Sequence, residues 1–238
     1  METYQDIWQG DSTELCLKFK PGRINCVITD PPFGVDNQSN MAVTEAGKAH
    51  ATKILNDEDV EKAIATFQGV MGSLLPRTAD NADCYIFTAH QVLKEWLVMT
   101  DEFMPKYRFE RKGILWWEKD GPGMGDLNFP FGMASEIILC FRKGNLEKRT
   151  QRRNGTLHFP QIRPADLIHP HEKPKSILQE LMRASTEPGD WVVDPFGGSG
   201  SLVCAAREID RNAISIELDE DRFKTAYNRF KTQEAGIF

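Results

Sequence analysis

The chain has 238 residues, 40% hydrophobic and 27% charged, with 18 glycines and 13 prolines scattered along it. That balance excludes a fibrous or disordered polymer and supplies enough apolar surface for a core without disulfides or metal. No apolar run approaches the ~18–20 residues of a membrane span, and the start METYQDIWQGD lacks the basic flank and apolar stretch of a signal peptide, so a cytoplasmic protein with no membrane partner is expected. The formal charge is −6, spread unevenly: residues 142–153 carry a net +5 and residues 105–113 a net +3, leaving −14 for the rest. A uniformly acidic surface repels a polyanion, so an anionic partner has to be met at these basic stretches.

Strand-like runs alternate with helix-like ones, the pattern of an α/β domain. In chain order, a strand is expected near 4–8, then a short helix opened by Asp11 with Glu14 three residues later, and a strand over 24–29. Residues 57–75 predict a helix, because Val60, Ala63, Ile64, Phe67, Val70, Met71 and Leu74 recur at the 3.6-residue period. Strands over 83–88, 112–118 and 135–142 follow, with a helix over 90–103 between the first two. The last third alternates a helix over 174–186, a strand over 191–194, a helix over 199–209, a strand over 213–217 and a helix over 219–233. These make seven strands in a single domain spanning 1–238. Residues 34–56, and 119–134 with 143–168, show no regular pattern; loops of that length are commonly functional, and 34–56 and 119–165 are the candidate substrate-gripping insertions. Cys16, Cys26, Cys84, Cys140 and Cys204 form no C-x-x-C pair and read as reduced core thiols, and Trp116 and Trp117 read as strand and core residues.

Two motifs carry chemistry. Asp30-Pro31-Pro32-Phe33 directly follows the apolar strand INCVIT, which puts it in the crevice where open α/β sheets bind ligands. Successive prolines fix the backbone and leave a carbonyl with no competing N–H. A carboxylate beside a rigid carbonyl suits the capture of both hydrogens of an exocyclic amine, adenine N6 or cytosine N4, while Phe33 offers a face on which a base can stack, worth ~1–3 kcal/mol. The bland alternative is a Pro-Pro turn with a core phenylalanine. The second motif is VVDPFGGSGS, residues 192–201: a strand end, Gly197, Gly198 and Gly200, then a helix. Such glycines let a ligand approach the backbone, and Glu217, at the next strand end and 23 residues after Asp194, is placed to accept hydrogen bonds from ribose hydroxyls. The spacing departs from G-x-G-x-x-G, so a nucleoside is favoured over a dinucleotide, with a plain glycine turn as the alternative.

In this order the two motifs resemble the DNA amino-methyltransferases of the circularly permuted β-group, whose catalytic motif precedes the S-adenosylmethionine motif. The resemblance extends to GDSTEL around Asp11, to residues 114–144 with W-x-K and E-x-I-L, to HPHEKPKSILQELM at 169–182, and to RNAISIELDEDRFKTAYNRF. It implies a Rossmann-like, seven-stranded methyltransferase sheet with helices on both faces, and an enzyme of the kind found in restriction-modification. Asp30, Pro31, Pro32 and Phe33 would bind and activate a base flipped out of double-stranded DNA. S-adenosylmethionine would be held by Asp194, Phe196, Gly197, Gly198, Ser199 and Gly200, by Glu217 at the ribose, by Asp11 near the adenine, and by Lys173 with Pro174 at the carboxylate. His171 and Ser201 stand where the family usually has threonine, and Phe33 where it more often has tyrosine. The duplex would be gripped by Lys143, Lys148, Arg149, Arg152 and Arg153, with 34–56 and 119–165 as the candidate DNA-contacting insertions. Because D-P-P-[YF] tends to accompany adenine in this family, N6-adenine is expected over N4-cytosine.

Rival readings remain. Cytosine C5 methylation needs a thiolate that typically follows proline, and none of the five cysteines does. RNA or protein methylation uses related motifs. A catalytically silent DNA-binding member of the fold is a further alternative. A metal site at His169, His171 and Glu172 helped by His158 competes with the match to a cofactor-binding segment, so no metal is expected. The short chain leaves little room for a separate recognition domain, which suits a short target or a homodimer.

Overall fold

The computed structural model describes residues 2–35, 59–121, 130–145, 153–162 and 172–234. Strands β1 (Gln5–Gln9), β2 (Ile24–Thr29), β3 (Thr78–Thr88), β4 (Phe109–Glu118), β5 (Ser135–Lys143), β6 (Thr156–His158), β7 (Trp191–Asp194) and β8 (Asn212–Glu217) hydrogen-bond into one sheet in the order β1-β8-β7-β2-β3-β5-β4-β6. The pairings are parallel except those of β5, which runs antiparallel to both β3 and β4. The C-terminal ends of β2, β4, β7 and β8 therefore share one edge of the sheet with the N-terminal end of β5.

Eight strands stand where the periodicity predicts seven. The addition, β6, pairs Trp116 with Thr156, Trp117 with Leu157 and Glu118 with His158. Three residues are too few for an alternation to register, and they lie inside the stretch that shows no pattern. β3 also begins five residues before its expected start, because its opening TADNA is mostly polar.

Helices α1 (Ser12–Leu15), α2 (Val60–Leu74), α3 (Leu93–Phe103), α4 (Lys175–Ser185), α5 (Ser201–Arg207) and α6 (Glu220–Glu234) start and stop where local chemistry dictates. Asp11 caps α1 by accepting the Thr13 N–H at 2.7 Å, and Asp59 caps α2 by accepting that of Glu61 at 2.8 Å. The Asp219 carboxylate likewise accepts the N–H groups of Asp221 and Arg222.

The period-2 alternation of the strands splits the core into two layers. Val27, Cys84, Ile86, Leu139 and Ile214 face Phe67 and Met71 of α2 and Trp96 and Phe103 of α3. Cys26, Ile28, Tyr85, Phe87 and Val192 face Ile177 and Leu181 of α4, Val203 of α5 and Phe230 of α6. Helices cover both faces, so ligands are left the sheet's edge. Cys16, Cys26, Cys84 and Cys204 are buried free thiols and Cys140 is partly exposed. Trp117 is core, its indole N–H donating to the Phe159 carbonyl at 2.8 Å. Trp116 is not: it points from the opposite side of the same strand, is 40% exposed, and rests against the His90 ring. No helix among the described residues is long and apolar enough to cross a membrane.

Candidate active site

β2 and β7 are hydrogen-bonded neighbours, Cys26 opposite Val192 and Val27 opposite Val193, and their connections leave toward opposite ends of the sheet: β2 leads to β3 and β7 to β8. This is the switch point at which an open α/β sheet leaves a crevice beyond its carboxyl ends. A cavity of about 560 Å³ opens there, and its walls include Asp11, Asp30, Phe33, Asp194, Gly198 and Glu217. Residues more than 180 positions apart in the chain thus meet because parallel strands end together.

Beyond β2, Asp30 hangs over the cavity with its side chain 19% exposed. Its Oδ2 accepts from the Lys173 ammonium at 2.5 Å, whereas its buried Oδ1 has no hydrogen-bond partner among the described residues. Burial pushes the Asp30 carboxyl above the usual carboxylate range, and the Lys173 charge offsets part of that rise. Phe33 lines the same cavity, its ring edge-on to Trp96 with centroids 6.4 Å apart, and its carbonyl accepts the Trp96 indole N–H at 3.3 Å. Pro31 and Pro32 complete this wall.

At the end of β7 the Asp194 Oδ1 accepts from the Phe196 N–H and the Thr29 hydroxyl, each at 3.0 Å, which ties the two strand ends together. Desolvation lifts this carboxyl to about 7 against the pull of those two donors. The glycine turn follows. A Cβ on Gly197 would sit 3.0 Å from the Ile216 carbonyl oxygen, so a side chain there would push the loop off β8. The Gly198 N–H donates to Glu217 Oε2 at 2.8 Å and the Asp219 N–H to Oε1 at 2.9 Å. Each Glu217 oxygen keeps a further acceptor direction. Burial raises this carboxyl too, opposed by the same two N–H groups.

The residues present fit S-adenosylmethionine on the structure's own terms. The cavity wall carries an acid fixed by backbone N–H groups, Glu217, a glycine cradle at Gly197 and Gly198, and at Asp30 a carboxylate whose Oδ1 has no partner among the described residues. Asp11 lines the same cavity while capping α1. Ser199 and Ser201 both line the cavity, their hydroxyls hydrogen-bonded to each other at 2.7 Å, and Gly200, with φ +69°, opens α5. Pro174 sits at the N-terminal cap of α4.

Sequence reasoning misses several of these partners. The resemblance sends Lys173 to the cofactor carboxylate; in the structure it lines the cavity with its ammonium on Asp30 and, at 3.3 Å, Glu136 Oε2, while Lys119 meets Glu136 Oε1 at 2.5 Å. The signal is legible as E-K-D after one strand and S-E-I at the start of its antiparallel neighbour, which a hairpin brings to one end. Thr29, Ser12, whose hydroxyl donates to the Pro195 carbonyl at 2.6 Å, and the buried Glu172–Arg229 pair at 2.6 Å carry no such signal.

The basic run needs correcting. β5 points its last residue away from the cavity, and Lys143 is 8% exposed there with its ammonium bonded to the Thr78 carbonyl and hydroxyl. A DNA phosphate does not reach a charge that the fold has already buried. Arg142 is likewise committed, gripping Asp83 through two bonds of 2.7 and 2.8 Å, and Arg153 pairs with Glu180. In the second basic stretch Arg108, Arg111 and Lys112 face Asp80, Asp101 and Glu110. Lys148, Arg149 and Arg152 lie outside the described residues, as do His169, His171, residues 36–56 of the first insertion and residues 122–129, 146–152 and 163–165 of the second. His158 pairs with Glu118, and no cluster of three or more metal-ligating side chains occurs among the described residues.

Residues 24–228, from β2 into α6, match the family model for DNA methylases that act on N6 or N4 amines. The chain belongs to this DNA methylase family. It is a DNA methyltransferase, and DNA is its substrate. Among curated relatives, the Type II methyltransferase M2.MboI of Moraxella bovis is 25% identical, with 94% of this chain and 87% of that protein aligned. The Type II methyltransferase M2.DpnII of Streptococcus pneumoniae is 22% identical over 94% and 88%. Two crystal structures share the methylase's fold: M1.HpyAVI in complex with SAM, at TM-score 0.67 and 20% identity over 95% of this chain and 98% of that one, and the cytosine-N4-specific PvuII DNA methyltransferase, at 0.71 and 18% over 97% and 87%. In this methylase the DPPF segment precedes the glycine turn in sequence while the sheet sets them side by side.

Proposed function

We propose that this methylase transfers a methyl group from S-adenosylmethionine to the exocyclic N6 of an adenine flipped out of duplex DNA into the cavity at Asp30. The observation that carries the reading is Asp30, a residue of the cavity wall whose buried Oδ1 has no partner among the described residues. A polar atom left so is costly unless a ligand completes it, and an amine N–H does. The Pro31 carbonyl takes the second hydrogen, and the two acceptors draw the nitrogen lone pair out of conjugation with the ring.

Phe33 stacks on the base; Glu217 takes the ribose hydroxyls, and Asp194, Phe196 and Gly197 line the methionine end. When bound, the cofactor supplies an electrophilic methyl. The amine lone pair forms the new N–C bond while the C–S pair stays on sulfur, and Asp30 receives the N–H proton. Holding donor and acceptor in near-attack geometry supplies ~7–11 kcal/mol of the barrier reduction, and extrusion of the base costs a few kcal/mol.

The choice of adenine over cytosine rests on Asp30 as the first residue of the D-P-P-F segment. The 18% likeness to a cytosine-N4 enzyme speaks to the fold alone. Unmethylated bacterial genomic DNA incubated with the enzyme and S-adenosylmethionine, then digested to nucleosides, is expected to yield N6-methyl-2′-deoxyadenosine; N4-methyl-2′-deoxycytidine alone overturns the proposal.

A further inference from the structure

Four charged side chains alternate in sign away from the reacting centre. Asp30 leaves β2, Lys173 precedes α4, Glu136 is the second residue of β5 and Lys119 follows β4. Lys173 is the counter-ion of two carboxylates, Asp30 at 2.5 Å and Glu136 at 3.3 Å, and Lys119 is the second cation on Glu136, at 2.5 Å. Each ammonium also lies over an aromatic ring, Lys173 at 5.1 Å from the Phe87 centroid and Lys119 at 5.0 Å from that of Trp117, so neither is free to leave. Lys119 is further fixed by its N–H bond to the Ala134 carbonyl at 2.7 Å.

We propose that Glu136, backed by Lys119, is a positioning residue that shares the Lys173 ammonium with Asp30 and thereby sets how readily Asp30 accepts the proton released by the methylated amine. The inference rests on the reading of Asp30 as the acceptor of that amine. With one carboxylate beside it, Lys173 would hold Asp30 firmly ionised and weaken it as a base. With two, the ammonium has another partner when Asp30 becomes neutral, and the longer contact to Glu136 shortens as the Asp30 contact is given up. The proton passes from nitrogen to the Asp30 carboxylate, the N–H electron pair returning to nitrogen, and leaves later to water.

The electrostatics agree in sign. Among the described charges facing Asp30, Glu136 pushes its carboxyl up and Lys173 and Lys119 pull it down, while Asp194 stands across Thr29. Burial favours the neutral form of Glu136, yet the two ammoniums outweigh it and hold that carboxyl below its ordinary range.

The test is the single-turnover rate of tritiated methyl transfer from S-adenosylmethionine to unmethylated bacterial genomic DNA, followed against pH. Glu136→Gln is expected to move the acid limb down by about half a pH unit or more, and to slow transfer on the plateau, because the less basic Asp30 takes the proton less readily. Lys119→Met is expected to move the limb up, since it removes a cation that favours ionised Asp30. A merely structural role lowers the melting temperature without moving the limbs in opposite directions. Limbs that stay in place, or move the same way, overturn the inference. Should Glu136→Gln not fold, an unmoved limb in Lys119→Met does so alone. A wild-type enzyme that makes no N6-methyl-2′-deoxyadenosine refutes the proposed function instead, and the two failures are read from separate samples.

Discussion

The Lys173 ammonium lies 2.5 Å from Asp30 Oδ2 although 143 positions separate the two residues in the chain. The contact divides the Asp30 carboxylate, leaving one oxygen for a cation and the other for a ligand. Asp30→Asn turns one acceptor into a donor and is expected to cut methyl transfer by about 10²–10⁴-fold while S-adenosylmethionine still binds. Lys173→Met removes the largest charge opposing the burial of Asp30. An acid pushed higher stays protonated to higher pH, so in this variant the acid limb of the rate profile shifts upward. A limb left in place would separate Lys173 from the chemistry.

Glu217 presents two oxygens that are each already fixed by one backbone N–H, from Gly198 and Asp219. Glu217→Gln keeps the shape but turns an NH₂ toward one of those donors and removes the charge. Hydrogen bonds to a charged partner are worth ~1.5–3 kcal/mol, so S-adenosylmethionine binding measured by calorimetry should weaken by ~10–100-fold. Affinity within a factor of about two of wild type would exclude a ribose contact.

How far the sequence carries is best seen at particular residues. Asp30, Asp194 and Glu217 are legible because each closes an apolar strand, and parallel strands end on one edge whatever their separation. The helices are legible from their stripes and caps. β6 is not, because three residues carry no period and owe their conformation to the exposed edge of β4. Lys143 misleads for a related reason: a run of charge gives no direction, and the antiparallel turn of β5 sends that lysine away from the cavity and into Thr78. The Lys119–Glu136 pair is foreshadowed by the antiparallel β4 and β5, but the arrival of Lys173 from a third segment is something no local window contains.

Gly200 is required twice over. Its φ of +69° suits glycine, and a Cβ there would stand 2.7 Å from Ile7 Cδ1. Gly198 has a φ of +49°, yet its Cβ would meet only the Phe196 carbonyl at 4.0 Å. Gly198→Ala should therefore cost ~1 kcal/mol from the backbone alone, and Gly200→Ala ~2–3 kcal/mol or more because the Ile7 side chain has to move. At ~2–4 °C per kcal/mol for a chain of this size, thermal melts separate the two; equal losses would mean that the Ile7 side chain gives way freely.

The basic run makes opposite predictions on its two sides. Arg142 clamps Asp83, which is 3% exposed and bonded besides to the Ser185 hydroxyl at 2.6 Å. Arg142→Ala strands that carboxylate and should cost ~3–5 kcal/mol of stability without altering the salt dependence of DNA binding. Replacing Lys148, Arg149 and Arg152 together with alanine should instead leave the melt unchanged and flatten the plot of log affinity against log salt by up to ~0.9 for each phosphate no longer neutralised. An unchanged slope would remove this segment from the DNA interface.

Asp194 links cavity, stability and pH. Its carboxyl is lifted to about 7 by desolvation, against the Phe196 N–H and the Thr29 hydroxyl. Unfolded, an aspartate ionises near ~3.9, so between that pH and about 7 the folded protein holds a proton that the unfolded chain has released. Stability from this group therefore falls as pH rises through that window, and is fully present only below it. Asp194→Asn keeps an Oδ1 acceptor for both donors and abolishes the titration. In urea unfolding at about pH 5 and about pH 8, the wild type should lose more stability between the two than the variant does. If the two proteins lose the same amount, Asp194 is ionised throughout, and the β7 end of the cavity is wetter than its packing against Thr29 implies.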